Sequence, residues 1–297
     1  MRDPQPKHPD TCVHPRTGEW LPPTFDACLA ELESLMTQAD AEKSLLLFRG
    51  HADRHWRLDS TFVREAKRRL FRIAPTDGFS QHLQASGDLN ATLTGLFLLK
   101  FGGLLGLSDE LLKTEREHEV DAWFELMKRY QQYPNEDMLQ FPGTNLLDWS
   151  RSRDVALYFA NEARTAQGAI FVCDATATGK TLQVLPVVDI LAKLRERMYA
   201  GLANGIPLLF APKKQIAYAR AKNQEAVYFA QMELRIDLAE QWRLQEQAQP
   251  GTTILVKLVL PADSTAACAS YLASRGITRQ HIFPDLDAIG SATSREA

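Results

Sequence analysis

Three polar residues, far apart in the chain, are of the types that binding and cleaving a nicotinamide dinucleotide would need. Arg49 follows three leucines and a phenylalanine, Ser150 precedes a helical pattern, and Glu225 precedes a strand-like pattern. A guanidinium suits phosphate, and a carboxylate stabilises the positive charge that develops on ribose when the glycosidic bond breaks. We therefore treat Arg49, Ser150 and Glu225 as a candidate catalytic set.

Two members of this set also have a simpler interpretation. Arg49 could be a strand-end arginine that pairs with a carboxylate, because a buried unpaired charge is costly. A lone glutamate such as Glu225 at the start of a strand is usually solvated. Gly50, next to the arginine, permits either a close backbone approach or a bend.

The segment NLLDWS places a carboxylate, an indole and a hydroxyl just before a predicted helix, whose N-terminus favours anions. Trp149 could stack on a nicotinamide ring, or it could belong to the core. Ser150 or Ser152 could instead cap the helix. Both interpretations stay open for Asp148, Trp149 and Ser150.

Other candidate sites have weaker support. His51 and His55 are four residues apart, as a metal pair on a helix would be, but no third ligand lies nearby in the sequence, and we predict no metal site. Ser150 lacks the G-x-S-x-G context of a hydrolase nucleophile. The basic cluster from Arg64 to Arg72 could bind nucleic acid or form a solvated helix face.

Composition narrows the class of protein. The chain has 297 residues, 45% of them hydrophobic, and its 34 basic and 37 acidic side chains give a net charge of -3. These values indicate a globular protein that is not a strongly basic nucleic-acid binder. No apolar run reaches the roughly 18 residues of a membrane span. The four cysteines form no C-x-x-C pair, and with no secretory signal apparent we expect a reduced, cytoplasmic protein with Cys173 in the core.

Short predicted strands mix irregularly with helices, which is typical of an α+β fold. Residues 1–23, rich in proline, are predicted to be a loose arm. Apolar spacing predicts helices at residues 27–39, 111–133, 189–199 and 264–274, with another starting near residue 154 and ending before Gly168. Strands are predicted at residues 45–48, 169–174, 206–210, 226–234 and 252–260. Neither G-x-G-x-x-G nor a P-loop motif occurs, which argues against a Rossmann or P-loop fold.

Several of these segments resemble the FRG domain, a bacterial family named for its Phe-Arg-Gly triplet. The triplet Phe48-Arg49-Gly50 is followed by Trp56 and by LDSTFVR, which resembles the family's L-x-S-x-F-R run. TNLLDWS running into ALYFA resembles its second signature. RAKNQEAVYF, through Arg220 and Gln224, and the ending GITRQHIFPDLD resemble two later segments, so the resemblance covers about residues 44–290.

A looser resemblance, to the ADP-ribosyltransferase superfamily, rests on the order of an aromatic-Arg-Gly strand, a serine before a Y-F-A helix, and a late glutamate. It implies that Arg49 matches the first-strand NAD residue and Ser150 the middle hydroxyl. Glu225 or Gln224 would then match the catalytic position of the last strand. Both are kept, because Gln224 fits the FRG pattern better, whereas only Glu225 carries negative charge.

Together the two resemblances imply a single domain over residues 24–290, with a helical insertion at about 66–138 and a tail at 291–297. The expected fold is an ADP-ribosyltransferase-like split, mostly antiparallel sheet with flanking helices. The expected function is ADP-ribosyl transfer or NAD hydrolysis by a toxin or anti-phage defence effector. NAD would be the substrate, a macromolecule the acceptor, and an antitoxin or defence protein a partner. The residues expected to contact NAD are Arg49, Gly50, Asp148, Trp149 and Tyr158.

Two alternatives are kept. The first is a non-catalytic FRG module that binds nucleic acid or a nucleotide through Arg49, Arg64 and the basic cluster. Steep salt dependence of binding without NAD turnover would favour it. The second is a plain interaction domain, in which substitution of Arg49 would have no effect in any assay.

Overall fold

A computed structural model describes seven parts of the chain, namely residues 12–14, 19–64, 146–179, 208–211, 219–231, 233 and 236–284. The predicted insertion at 66–138, the predicted helices at 111–133 and 189–199, and the tail lie outside the described residues.

The described strands are short and the helices are mostly two to five turns long. The strands are β1 (Cys12–His14), β2 (Glu19–Leu21), β3 (Leu46–His51), β4 (Leu146–Ser150), β5 (Ala169–Asp174), β6 (Leu208–Phe210), β7 (Ala226–Ala230) and β8 (Leu255–Val259). The α-helices are α1 (Phe25–Glu42), α2 (Arg153–Asn161), α3 (Ala219–Asn223), α4 (Leu238–Ala248), α5 (Thr265–Ser274) and α6 (Arg279–Ile282), with a 3-10 turn at Ala262–Ser264.

Within the described residues, the strands form one mixed sheet in the order β1-β2-β8-β5-β3-β4-β7-β6. The β2–β8 pair is parallel and the other adjacent pairs are antiparallel. The expected α+β class with a mostly antiparallel sheet is therefore confirmed. The closer likeness to the ADP-ribosyltransferase sheet stays a prediction.

The two halves of the sheet join at a weak seam. Strands β3 and β4 share one residue pair, Phe48 with Ser150, whereas β3 and β5 pair along six residues. Beyond Phe48, toward His51, no further β3–β4 pair follows within these two strands. The seam is therefore open at the end of β3 that carries Arg49 and His51.

Alternation along the strands builds a core on each side of the sheet. On the first face, Phe48, Ile170, Val172 and Leu258 pack with residues of α1, α2 and α5. On the second face, a different set packs with α4 and with Leu58 from the loop after β3. This second set includes Leu47, Trp149, Phe171, Cys173, Val227, Phe229 and Trp242.

The helices begin where side chains satisfy their free N–H groups. Thr24 caps α1, with its Oγ1 accepting from Ala27 N at 3.1 Å, and Asp237 caps α4, accepting from Glu240 N at 2.8 Å. Ser152 caps α2, accepting from Val155 N at 3.4 Å. Of the two serines that the sequence offered as caps, Ser152 is the one used.

Four sequence-based assignments need correction. Strand β3 extends to His51 instead of ending at Phe48, and NLLDWS is itself a strand, β4. Helix α2 ends at Asn161, well before Gly168. Within the predicted loose arm, Glu19–Leu21 belongs to the sheet and Trp20 is buried.

Cys173 is fully buried in the core of the second face, as expected, and Cys28 and Cys268 are buried on the first face. All three are free thiols. Burial raises the pKa of Cys28 to about 12. In the part of the chain that the structure describes, no helix is both long and apolar enough to cross a membrane.

Candidate functional site

The triplet Phe48-Arg49-Gly50 is divided between the two faces of β3. Phe48 is buried in the core of the first face. Gly50 faces the same way, and a Cβ atom built on it would lie 1.9 Å from Ala156 O and 2.5 Å from Ala160 N. Only glycine therefore lets helix α2 approach β3 this closely. Arg49, between them, points to the second face.

The guanidinium of Arg49 lies at the open end of the seam. Its Nη1 donates to Asp148 O on β4, and its Nε donates to His51 Nε2 at 3.0 Å. The side chain is half-buried, and its Nη2 group has no hydrogen-bond partner among the described residues. Burial lowers the pKa of Arg49, whereas the nearby Asp148 carboxylate raises it. One edge of the guanidinium is thus fixed, and the other edge bonds none of the described residues.

His51 holds Arg49 from the side. Its Nε2 accepts from Arg49, and its Nδ1 lies 3.3 Å from Trp56 O. Because Nε2 accepts, the ring must be the neutral Nδ1–H tautomer, which donates to the Trp56 carbonyl. Burial and the positive charge of Arg49 both hold the pKa of His51 well below its ordinary value. The imidazole therefore serves as a neutral acceptor.

A row of paired residues crosses four strands beside Arg49. Arg49 pairs with Phe171, Phe171 with Lys257, and Lys257 with Glu19. Lys257 Nζ lies 5.4 Å above the Phe171 ring and donates to Glu19, which also accepts from Arg54 at 2.8 Å. Burial raises the pKa of Glu19, but Lys257 and Arg54 outweigh it, so this pKa lies below its ordinary value.

Trp56 lies on the loop that follows β3. It is 52% exposed, in contrast to Trp20, Trp149 and Trp242, which are at most 3% exposed. Its ring meets the His51 ring edge-on, with centroids 6.0 Å apart. Its backbone is fixed at both ends, since its N–H donates to Asp53 O at 3.2 Å and its carbonyl faces His51.

Ser150 has a different environment from Arg49. Its Oγ donates to Gln224 O at 2.7 Å and accepts from Ser152 N at 2.9 Å. The residue is 5% exposed, and the alternation of β4 puts it on the first face, like its pair partner Phe48. Its hydroxyl joins the end of β4 to the residues before β7.

Glu225 and Gln224 stand at the start of β7. Gln224 donates its amide Nε2 to Ile282 O at 3.1 Å, so this side chain holds the C-terminal segment. Glu225 is exposed and has a φ of 44°, a strained left-handed conformation for a residue with a side chain. Its backbone is fixed, because Arg151 N donates to Glu225 O at 3.1 Å.

The remaining predicted NAD contacts lie apart from one another. Trp149 is buried, with its ring 5.7 Å from those of Phe229 and Trp242, which matches the core alternative. Asp148 is half-buried beside the seam. Tyr158, on α2, donates to Glu162 at 3.0 Å and packs against Phe283, on the first face. Phe283 also lies under Arg220, 4.6 Å from its ring centroid.

The candidate catalytic set is therefore not a contact cluster. No hydrogen bond or ion pair joins Arg49, Ser150 and Glu225 to one another in the structure as described. Instead, the seam brings Arg49 together with His51 and Asp148, and the loop adds Trp56. The sequence analysis did not predict that His51 contacts Arg49, although residues two apart on one strand share a face.

Metal binding finds no support in the described segments, where no group of three or more His, Cys, Asp or Glu side chains could hold an ion. His51 lies in β3, and His55 is exposed on the loop, where its N–H donates to Asp53 Oδ1 at 2.8 Å. The two histidines do not share a helix.

Residues 44–168 match the family model of the FRG domain. The chain carries an FRG domain. The matched range contains the Phe-Arg-Gly triplet, the Trp56 loop, β4 and α2, and it ends before Gln224 and Glu225. A comparison with curated proteins and one with solved structures found no match.

Proposed function

We propose that this FRG domain consumes NAD, either by transferring ADP-ribose to an acceptor or by hydrolysing the dinucleotide. The observation that carries the proposal is the half-buried Arg49 guanidinium, with one edge fixed by Asp148 O and His51 and with Nη2 open at the seam. A fixed guanidinium at an opening suits a phosphate oxygen, because the donors need no reorganisation when the anion binds.

Glu225 is the carboxylate that we assign to the reaction, in preference to Gln224. The amide of Gln224 is engaged with Ile282 O, whereas Glu225 is exposed. Its φ of 44° is the left-handed conformation in which helices commonly end, here after α3, and with the bond from Glu225 N to Lys222 O it fixes the backbone from which the carboxylate extends. Phe48, Ser150 and Ala226 are paired side by side on β3, β4 and β7. Arg49 follows Phe48 and Glu225 precedes Ala226, so the two residues lie on opposite sides of this row. Two strand spacings and two residue rises therefore put their Cα atoms roughly 12 Å apart, a distance that one ligand can span.

Ser150 is assigned an indirect role. Its hydroxyl donates a hydrogen bond to Gln224 O, and the neighbouring Arg151 N donates to Glu225 O. Both contacts fix the backbone that carries Glu225. Ser150 is thus a positioning residue for the carboxylate, a role that differs from the middle hydroxyl that the ADP-ribosyltransferase resemblance implies.

The proposed reaction breaks the bond between the ribose anomeric carbon and the nicotinamide ring nitrogen. The bonding electron pair goes to that nitrogen, so nicotinamide leaves as a neutral molecule. Glu225 stabilises the resulting oxocarbenium ion. Water or a nucleophilic group of the acceptor then forms a bond to the anomeric carbon and releases a proton.

The experiment is incubation of the purified full chain with NAD, with and without cell extract, followed by measurement of released nicotinamide. Glu225→Gln should reduce release at least about 100-fold, since an amide cannot offset developing charge. The matched control is Glu42→Gln, an exposed glutamate at the end of α1. Absence of release from the wild-type chain under both conditions would contradict the proposal, and full activity of Glu225→Gln would refute the role of that residue.

Arg49→Lys is the second variant. Lysine keeps the charge but loses the planar fork that bonds Asp148 O and His51 together, so we expect KM for NAD to rise at least tenfold. Arg243→Lys, on α4, is the control, because within the described residues the ion-pair partner of Arg243 is Glu240 of the same helix.

A second candidate function, binding of nucleic acid without catalysis, has one observation in its favour. The exposed Arg64 lies close enough to lower the pKa of Arg49, so positive charge extends from the seam toward the surface. Nucleic-acid affinity that falls steeply with salt, without nicotinamide release, would favour this function.

A further inference from the structure

We propose that Trp56 and Arg49 form one preformed site for a nucleotide, with Trp56 stacking on its planar ring, Arg49 binding its phosphate, and His51 positioning both. This inference rests on the proposed function for the identity of the physiological ligand. It adds the residue that recognises the ring, and it predicts binding even of nucleotides that cannot react.

The exposure of Trp56 is the first step. Among the described residues, the large apolar side chains of Trp56 and Leu244 are exposed, at 52% and 47%. Leu244 lies on α4. Trp56 instead lies on a fixed loop at the mouth of the seam, beside a half-buried guanidinium. An indole face that is both exposed and held in place is what stacking on a base requires.

Hydrogen bonds connect Trp56, at one end of the proposed site, with Arg49 at the other. The Trp56 carbonyl accepts from His51 Nδ1 at 3.3 Å, and His51 Nε2 accepts from Arg49 Nε at 3.0 Å. Arg49 in turn donates to Asp148 O across the seam. A displacement of Trp56 would therefore shift the His51 ring, and that ring would in turn shift Arg49.

His51 is fixed from the remaining sides. Its ring meets Phe171 edge-on at a centroid distance of 5.0 Å, and the residue is 5% exposed. The charged groups that act on it are Arg49 on its own strand, Arg64 and Lys257, all positive. This surrounding keeps the imidazole neutral, and only the neutral ring accepts from Arg49 while donating to Trp56.

The balance of charge indicates an anionic ligand. Glu19 forms ion pairs with both Lys257 and Arg54, so these three side chains together keep one positive charge. Asp148 contributes negative charge near Arg49, and Arg64 contributes positive charge. The open Nη2 edge of Arg49 is thus the point where a phosphate would complete the pairing, one imidazole ring away from the indole. A ligand with a planar ring and a phosphate fits both ends.

Binding of AMP, ADP-ribose and inorganic pyrophosphate to the full chain, measured by calorimetry, tests the proposal without any turnover. Trp56→Ala should weaken AMP binding about tenfold or more, as loss of base stacking does, and should leave pyrophosphate affinity within about twofold. Trp56→Phe should lose less than Trp56→Ala, because a ring remains. Leu244→Ala is the control for loss of an exposed apolar side chain.

Two variants of His51 separate its two contacts. Glutamine places its amide near the position of Nε2 and can accept from Arg49, whereas asparagine places its amide near Nδ1 and can donate only to Trp56 O. We expect His51→Gln to bind pyrophosphate within about threefold of wild type and His51→Asn to bind it at least tenfold more weakly. A purely structural role of His51 would weaken both variants alike, and circular dichroism confirms that each is folded.

The outcomes distinguish this inference from the proposed function. AMP binding that depends on Trp56, with no nicotinamide release, supports the site and contradicts the NAD chemistry. NAD turnover and AMP affinity that are both unchanged in Trp56→Ala overturn the site and leave the chemistry in place. Single-stranded oligonucleotides that bind much more tightly than AMP, with affinity rising with length, would also overturn it in favour of a nucleic-acid surface.

Discussion

The two faces of strand β3 use adjacent residues of one short motif for different purposes. On the first face, Phe48 is enclosed by core side chains and Gly50 admits the backbone of α2. On the second face, Arg49 and His51 are polar, bonded to each other, and placed at the open end of the β3–β4 seam. The Phe-Arg-Gly motif thus alternates between packing and polar contact within three positions.

This difference explains why the motif is a triplet and not an isolated arginine. The seam is open beyond Phe48, so the part of β3 that carries Arg49 is held by its pairing with β5 and by the packing of Phe48 and Gly50 on the first face. Residues of the first face should therefore control the stability of folding, and residues of the second face should control ligand affinity. Substitutions on each face can break or sharpen this distinction.

The largest effect is expected for Gly50→Ala. The added methyl group would meet two backbone atoms of α2, at 1.9 and 2.5 Å, and backbone cannot move aside as a flexible side chain can. We expect a loss of unfolding free energy of more than about 4 kcal/mol, measured by urea denaturation. Gly179→Ala is the control, because its Cβ would meet nothing within 4 Å and only its φ of 70° opposes alanine, at about 1–2 kcal/mol. Equal losses in the two variants would contradict the packing role of Gly50.

Phe48→Ala should have the next largest effect. Removal of a phenylalanine that is 2% exposed leaves a cavity beside α2 and should cost about 3–5 kcal/mol of unfolding free energy. Phe48→Leu, which fills most of that volume, should cost less. If the faces act separately, the folded fraction of Phe48→Leu will bind pyrophosphate as wild type does, and a tenfold loss would show that they do not.

Ser150→Ala tests the junction between β4 and β7. The substitution leaves Gln224 O and Ser152 N without their hydroxyl partner, and we expect a loss of about 1–3 kcal/mol of unfolding free energy. If Ser150 acts by positioning Glu225, kcat for nicotinamide release should fall while KM stays within about twofold. A rise in KM alone would instead indicate that Ser150 contacts the substrate.

The smallest effect is expected from pH, and it belongs to the second face. Because the pKa of His51 in the folded chain lies well below 6.5, the unfolded chain takes up a proton first as pH falls. The unfolding free energy should therefore be unaffected above about pH 7 and should fall by up to about 1.4 kcal/mol per pH unit below 6.5. His51→Gln should lose this slope, and superimposable pH profiles of the two proteins would contradict a buried neutral imidazole.

Sequence reasoning located the elements whose own residues determine them. Helix α5 was predicted from 264 to 274 and runs from Thr265 to Ser274, because its alanines and its buried Leu272 follow helical spacing. Strand β8 lies within the predicted 252–260 because Leu255–Val259 is rich in branched apolar residues. Local preference was sufficient in both cases.

Features that depend on distant partners were harder to predict. Strand β3 was expected to end at Phe48, since Arg49 and His51 are polar and only β5 and the seam explain them. Nothing local marks Ser150 as the partner of Gln224, which is 74 residues away. Trp149 was the tryptophan predicted to stack on nicotinamide or to belong to the core, and only its enclosure by Phe229 and Trp242 decides for the core.

The parallel pairing of β2 with β8 has a consequence for the order of folding. Lys257 bonds Glu19 across 238 positions of sequence, and β8 lies between β2 and the centre of the sheet. The edge formed by β1 and β2 therefore cannot join the sheet until β8 has been synthesised. Closing so long a loop is slow, so among the described strands β1 and β2 should be the last to become protected from hydrogen exchange.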